Sequence, residues 1–285
     1  MKWAVAGVLV ALAALLVGLA VSLSAPKRAV RGEMAAGTPD ELIASVFEAV
    51  EKGRPDLLPD LIYAPTPEFR PVLDRLGALC GNVQTLARAL NERFPTEVAT
   101  LRGDAAGSGA GALLRSAQRG MQQAQQGGQG GRRGGGPEDG RFLVALLADP
   151  YGWLARSKER VSTVEIAADS AAVLVDNKPA FGVGLLLRKD KGRWWIDLPW
   201  QIPQVAKYAP RTPEEHNILG FMVQSVDNAV IDLTKDVKAG KAASLEETSR
   251  LAGEKAFAPL MMCVIAYDRA MKAREQGAQR SDSAQ

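Results

Sequence analysis

The spacing of apolar residues changes several times along the chain, and each change predicts a different element. Residues 4–23 form an unbroken uncharged run with a single Ser. About twenty such residues are what an α-helix needs to cross a ~30 Å hydrocarbon core. From Thr38 the pattern becomes helical. Thr38-Pro39-Asp40-Glu41 supplies a cap, a proline for the first turn and a capping-box glutamate. Leu42, Ile43, Val46, Phe47 and Val50 then fall on one face, and Gly53 and Pro55 end that helix. Residues 56–63 read as a second short helix or turn.

A longer stripe follows. Phe69, Val72, Leu76, Leu79, Val83, Leu86, Leu90 and Phe94 step by three or four, with a break expected at Gly81-Asn82. Arg70, Arg75, Arg88 and Arg93 lie off the stripe and read as a solvated basic face rather than an anion-binding one. From Gly103 to Gly136 twelve glycines fall in 34 residues. Such a stretch buries too little apolar area to offset its chain entropy, so a disordered insertion is expected over 103–136. Helix is expected over 141–157, interrupted near Pro150.

The period then shortens. Val161–Ala167, Ala171–Asp176, Phe181–Arg188 and Arg193–Leu198 read as four strands separated by tight polar turns, which predicts an antiparallel meander. Thr212-Pro213-Glu214-Glu215 repeats the capping logic, and Leu219, Val223, Val226, Val230, Leu233 and Val237 follow at helical spacing. Lys238-Ala239-Gly240 stops that helix, and Ser244-Leu245-Glu246-Glu247 opens another. Its segment 256–267 is apolar on nearly all sides and is expected to be buried, with a kink or break at Pro259. The polar tail from Arg274 is expected to fray.

The resulting fold class is α+β. A transmembrane anchor or uncleaved signal spans 1–25, and a spacer 26–37. An α+β domain covers 38–199, a C-terminal helical hairpin 200–275, and a disordered tail 276–285. An anchor is favoured over a cleaved signal, whose apolar region runs only ~7–15 residues. The partner of 4–23 is then the lipid bilayer. Lys27, Arg28 and Arg31 behind the run favour a cytoplasmic body under the positive-inside rule. Long domains translocate largely regardless of charge, and the short N-terminal tail fits a secretory pattern. A single-pass protein with an extracytoplasmic, periplasmic body is the reading adopted.

Composition narrows the chemistry. The 285 residues are 47% hydrophobic with net charge +3, which excludes a disordered chain and gives no footprint for nucleic acid. Arg132 and Arg133 in QGGRRGGG lack interleaved aromatics, so no nucleic-acid partner is expected. Two cysteines and one histidine exclude a multi-cysteine zinc site and every mechanism needing two histidines. Cys80 and Cys263 read as small buried hydrophobes, with a disulfide between them left open. His216 reads as a surface residue. No metal or cofactor is expected and no catalytic residue is assigned. Trp194 and Trp195 are the candidate ligand-binding residues: strand alternation sends one to the core and leaves the other for solvent, a pocket wall or a partner. Trp153 and Trp200 read as packing residues.

The leading ELIASVFEAVEKGRPDLLPDLI (41–62) and the meander VSTVEIAADSAAVLVD (161–176) with GLLLRKDKGRWWIDLP (184–199) resemble the nuclear-transport-factor-two-like (cystatin-like cone) superfamily over about 38–199. The resemblance implies a curved antiparallel sheet wrapped around helices to form a cone with a pocket. It also implies a choice among isomerases, dehydratases and binding domains, and no role transfers residue by residue. Fold does not give function. With an anchor and no catalytic signature, the expected role is binding or scaffolding, with a protein partner at the C-terminal helices. The alternative is a small-ligand receptor or acid/base enzyme using the cone pocket.

Overall fold

Thr38 caps the first helix as its spacing predicts, its hydroxyl accepting the Glu41 N–H at 3.1 Å. The computed structural model describes Met34 and residues 36–106, 148–180, 184–200 and 203–282. Helix α1 (Pro39–Glu51) is followed by a 3-10 segment at Pro55–Leu61, then α2 (Arg70–Arg93) and α3 (Pro95–Ala106). Helix α4 (Gly152–Ser157) leads into strands β1 (Val161–Ala167), β2 (Ser170–Val175), β3 (Lys178–Pro179), β4 (Leu185–Asp190) and β5 (Arg193–Asp197). A single turn, α5 (Pro203–Ala206), precedes the long helices α6 (Pro213–Lys238) and α7 (Leu245–Asp282). The chain is therefore α+β, with an antiparallel sheet and several helices.

The sheet runs in the order β1-β2-β4-β5, with β3 paired to the end of β2. Two turns fix its register. Asp176 and Asn177 both adopt positive φ (53° and 58°), as do Lys191 (51°) and Gly192 (80°). Two central residues in the left-handed region are the geometry whose twist matches a hairpin. One face buries Ala171, Val173, Leu185, Leu187, Trp194 and Ile196. The other carries Val164, Ile166 and Leu186 into solvent.

Helix α2 is the centre of the helical layer. All eight residues of its predicted stripe are buried, and the helix is continuous through Gly81-Asn82 rather than broken there. Gly77 lets the 3-10 segment approach, since a Cβ at that position would lie 2.9 Å from the Asp56 carbonyl oxygen. On its other side α2 packs along α6. Arg75 lies over the Phe221 ring at 5.2 Å and Asn82 bonds Asp227. Farther on, the Leu245 N–H donates to Glu97 at 3.0 Å. The numbers rise together, so α2 and α6 are parallel. Helix α7 returns antiparallel to α6, as the pairs Glu215–Arg274, Ser225–Cys263 and Asp236–Lys255 show. Of the two C-terminal helices, α6 packs chiefly on α2, and α7 chiefly on α6.

Several expectations change. Helix α7 passes through Pro259 without a break. Pro259 is exposed there, so water reaches the backbone carbonyl that its missing N–H leaves unbonded. Phe257, Met262 and Ile265, expected inside, are 63%, 71% and 43% exposed, because α7 packs on one side only. The tail expected to fray is helical through Asp282, its root at Arg274 held by Glu215. Gly103 to Ala106, expected to open the insertion, are instead the end of α3. The rest of that insertion, the run 4–23, Arg132 and Arg133 lie outside the described residues, as does the start of the third predicted strand. Among the described residues no helix is long and apolar enough to cross a membrane.

Candidate functional site

The predicted tryptophan pair divides as strand alternation requires. Trp194 is buried at 2% exposure, with Lys189 Nζ 5.8 Å from its ring. Trp195 is half-buried on the opposite face, with the Arg193 guanidinium 4.6 Å from its ring. Beside it Arg188 bonds Asp197 and lies 5.0 Å over Tyr63. Trp195 Nε1 and Arg193 Nε are buried and have no hydrogen-bond partner among the described residues. The two tryptophans therefore do not share one site.

Where helices α2 and α6 meet, sequence reasoning missed a second group. Asp227 occupies the apolar stripe of α6 between Val223 and Val230 and is buried at 7% exposure. Asn82 Nδ2 on α2 donates to Asp227 Oδ1 at 2.6 Å. Burial lifts the Asp227 carboxyl above its ordinary value, and the Asn82 bond opposes that only in part. Its signal was present in the sequence, since position 227 follows Val223 by four and precedes Val230 by three. Cys80, two residues before Asn82 on α2, is fully buried; burial pushes its thiol well up, and the charges of Asp56 and Asp227 push the same way. Tyr151 is buried, its phenol raised by burial and then by the nearby Cys80. Its hydroxyl has no partner among the described residues.

All three groups are thus shifted toward their neutral forms. A protonated thiol is a poor nucleophile and a neutral phenol a poor base, so these groups offer dry hydrogen-bond donors rather than an activated attacking group. Cys263 is half-buried beside the Ser225 hydroxyl at 3.9 Å. Both thiols are free, so the disulfide left open by the sequence does not form.

At the start of α6 the surface reading of His216 fails. His216 is 4% exposed, its Nδ1 2.7 Å from the Thr212 carbonyl oxygen. The ring packs edge-on to Phe69, which also meets Trp200 edge-on at 5.8 Å. Phe69 caps α2, so this aromatic group ties the chain after β5 to the starts of α2 and α6. The reason His216 is inside lies next to it. Glu215 accepts the backbone N–H groups of Arg211 and Thr212, completing the capping box and fixing the turn that points His216 inward.

The basic face also differs from expectation. Arg88 and Arg93 are exposed, but Arg70 and Arg75 are half-buried. Arg70 pairs with Asp60 and Asp74, and Arg75 crosses above Gly220 onto Phe221. Among the described residues no group of three or more His, Cys, Asp and Glu side chains is placed to hold a metal ion. No family model matches the chain, and neither a curated protein nor a solved structure is similar enough to count as a match.

Proposed function

We propose that the chain is a single-pass, membrane-tethered protein whose folded body lies on the extracytoplasmic side and acts by binding or scaffolding. The observation that carries the proposal is the uncharged run 4–23 ahead of a folded body. Two features of that body support it. Two of its buried carboxylates are engaged in holding helices together, Glu215 by Arg274 and Asp227 by Asn82. Apart from Phe221 on α6, its large exposed apolar side chains gather on the outer sheet face and on α7, where partners dock more readily than substrates react. The antiparallel sheet with helices on its buried face is compatible with the cone of the nuclear-transport-factor-two-like superfamily, and that remains part of the proposal.

The test is fractionation of the full chain, followed by protease treatment of intact cells and spheroplasts. The body should stay with membranes through alkaline extraction and become cleavable only when the outer barrier is opened. A full-length chain that is freely soluble would overturn the tether. Cleavage only after lysis of spheroplasts would overturn the orientation.

A second reading, a small-ligand receptor, is favoured by one observation, the buried Tyr151 hydroxyl, which has no partner among the described residues. It requires a ligand whose affinity falls in Tyr151→Phe while the thermal midpoint stays unchanged.

A further inference from the structure

The two edges of the sheet are treated differently by the chain. Strands β4 and β5 pair Asp190 with Arg193, Arg188 with Trp195 and Leu186 with Asp197. The backbone groups of Trp194 and Ile196 point away from β4, to the outer edge of β5. Both are taken. The Trp194 N–H donates to the Ala36 carbonyl and the Ile196 carbonyl accepts from the Tyr63 N–H, each at 2.8 Å.

Strand β1 is the other edge. Asp176 N–H donates to the Arg160 carbonyl at 2.9 Å, which marks Arg160 and Asp176 as a hydrogen-bonded pair. Such pairs alternate along an antiparallel ladder, so Ser162 and Val164 bond toward β2 through Leu174 and Ala172. The backbone groups of Val161, Thr163 and Glu165 therefore point outward. Among the described residues nothing pairs with them.

This edge lacks most devices that blunt a free strand. Val161–Ala167 holds no Pro, Lys or Arg, and five of its seven residues are exposed. Its two faces have different chemistry. Val164 (49% exposed) and Ile166 (63%) stand on the outer face. The inner face carries Glu165, exposed, and the exposed Asp40 carboxylate, which accepts the Thr163 hydroxyl. Glu165 and the register shift between Glu165 and Ala167 are the only interruptions.

We infer that the edge of β1, unpaired among the described residues, is a strand-addition site for an extended protein segment that alternates apolar with basic residues. Backbone bonds to Val161, Thr163 and Glu165 supply the attachment. Apolar side chains of the added strand cover Val164 and Ile166, and its Lys or Arg side chains face Glu165 and Asp40. The charges also decide against a second copy. An antiparallel pairing of two β1 strands about Val164 sets Glu165 of one opposite Thr163 of the other, whose hydroxyl is already held by Asp40. That brings carboxylates of the two copies together.

The probe is a fluorescent nonapeptide of alternating Lys and Val, titrated against the full chain in detergent by anisotropy, with a Glu-Val peptide as comparison. The Lys-Val peptide should bind and the Glu-Val peptide should not. Thr163→Pro removes an N–H that points away from β2, where proline is tolerated, and should weaken binding by roughly tenfold or more. Glu165→Lys, at an exposed position, should weaken the Lys-Val peptide and admit the Glu-Val one, which keeps the test open if Thr163→Pro fails to fold. Equal binding of both peptides by the unaltered chain would overturn the proposal. So would unchanged affinity in Glu165→Lys. A disulfide-linked dimer of Val164→Cys in membranes, in a Cys263→Ser background, would assign the edge to a second copy and overturn it as well.

Discussion

Arg274 closes on Glu215 across 59 residues of sequence, one guanidinium nitrogen lying 2.8 and 2.7 Å from the two carboxylate oxygens. Glu215 is completely buried, and the Arg274 side chain is 18% exposed. The same carboxylate completes the capping box of α6, so one side chain fixes both the start of α6 and the returning turn of α7. Close by, the buried Tyr267 hydroxyl donates to the Tyr208 carbonyl at 2.8 Å, and burial raises its phenol above the ordinary range.

Removing one partner of this pair leaves a buried charge. Arg274→Ala is expected to cost about 3 kcal/mol in chemical denaturation. Adding Glu215→Gln to that variant should recover part of the loss, because Gln still accepts the capping N–H groups and carries no charge. A double variant no more stable than the single one would mean that the charge is not what destabilises it.

Asp227 gives stability a defined pH dependence. Its carboxyl is raised by burial, so the folded chain holds the proton more tightly than the unfolded one. That contribution is fully present below the ordinary carboxylate value. It is lost as pH rises through that value to the raised one. Asp227→Asn keeps an acceptor for Asn82 and removes the titration. Its stability relative to the unaltered chain should therefore improve between about pH 4 and pH 7 in paired denaturation curves.

Lys191 occupies the left-handed region at φ 51° ahead of Gly192. Asn tolerates this conformation better than Lys, and Asn-Gly is the favoured pair for such a turn. Lys191→Asn should raise stability by up to about 1 kcal/mol, read as a higher denaturation midpoint with an unchanged slope.

The tryptophans should separate energetically. Trp194→Ala opens a cavity in the core and should cost about 3–5 kcal/mol. Trp195→Ala should cost far less, because its ring is half-buried against Arg193. Comparable losses at the two positions would contradict the alternation of faces in β5.

Much of this fold was legible because periodic burial has local causes. The stripe from Phe69 to Phe94 and the four-three steps from Leu219 to Val237 each name a helix face without reference to any partner. Turn chemistry at Asn177 and Gly192 marked the two hairpins, though Lys178–Pro179 proved to be a short strand and β4 runs on to Asp190, two residues past the expected end. What was not legible depends on which faces meet. His216 looks polar and exposed in sequence, yet the Glu215 cap directs it against Phe69. Segment 256–267 looks fully buried, but among the described residues α7 has a neighbour on one side only. Of the candidate chemistry, only the Trp194/Trp195 division followed from local rules. Asp227 and Tyr151 acquire their properties from α2, 145 residues away in the case of Asn82.

That separation also bears on how the chain is made. Two helices lying side by side in the same direction cannot be neighbours in a simple up-and-down path, so the polypeptide must complete the β layer before α6 reaches α2. At ~5–20 residues per second, the greasy side of α2 waits on the order of ten to thirty seconds on the ribosome for its cover. Through that interval the emerging chain depends on a chaperone, or on a non-native embrace, to stay out of aggregates.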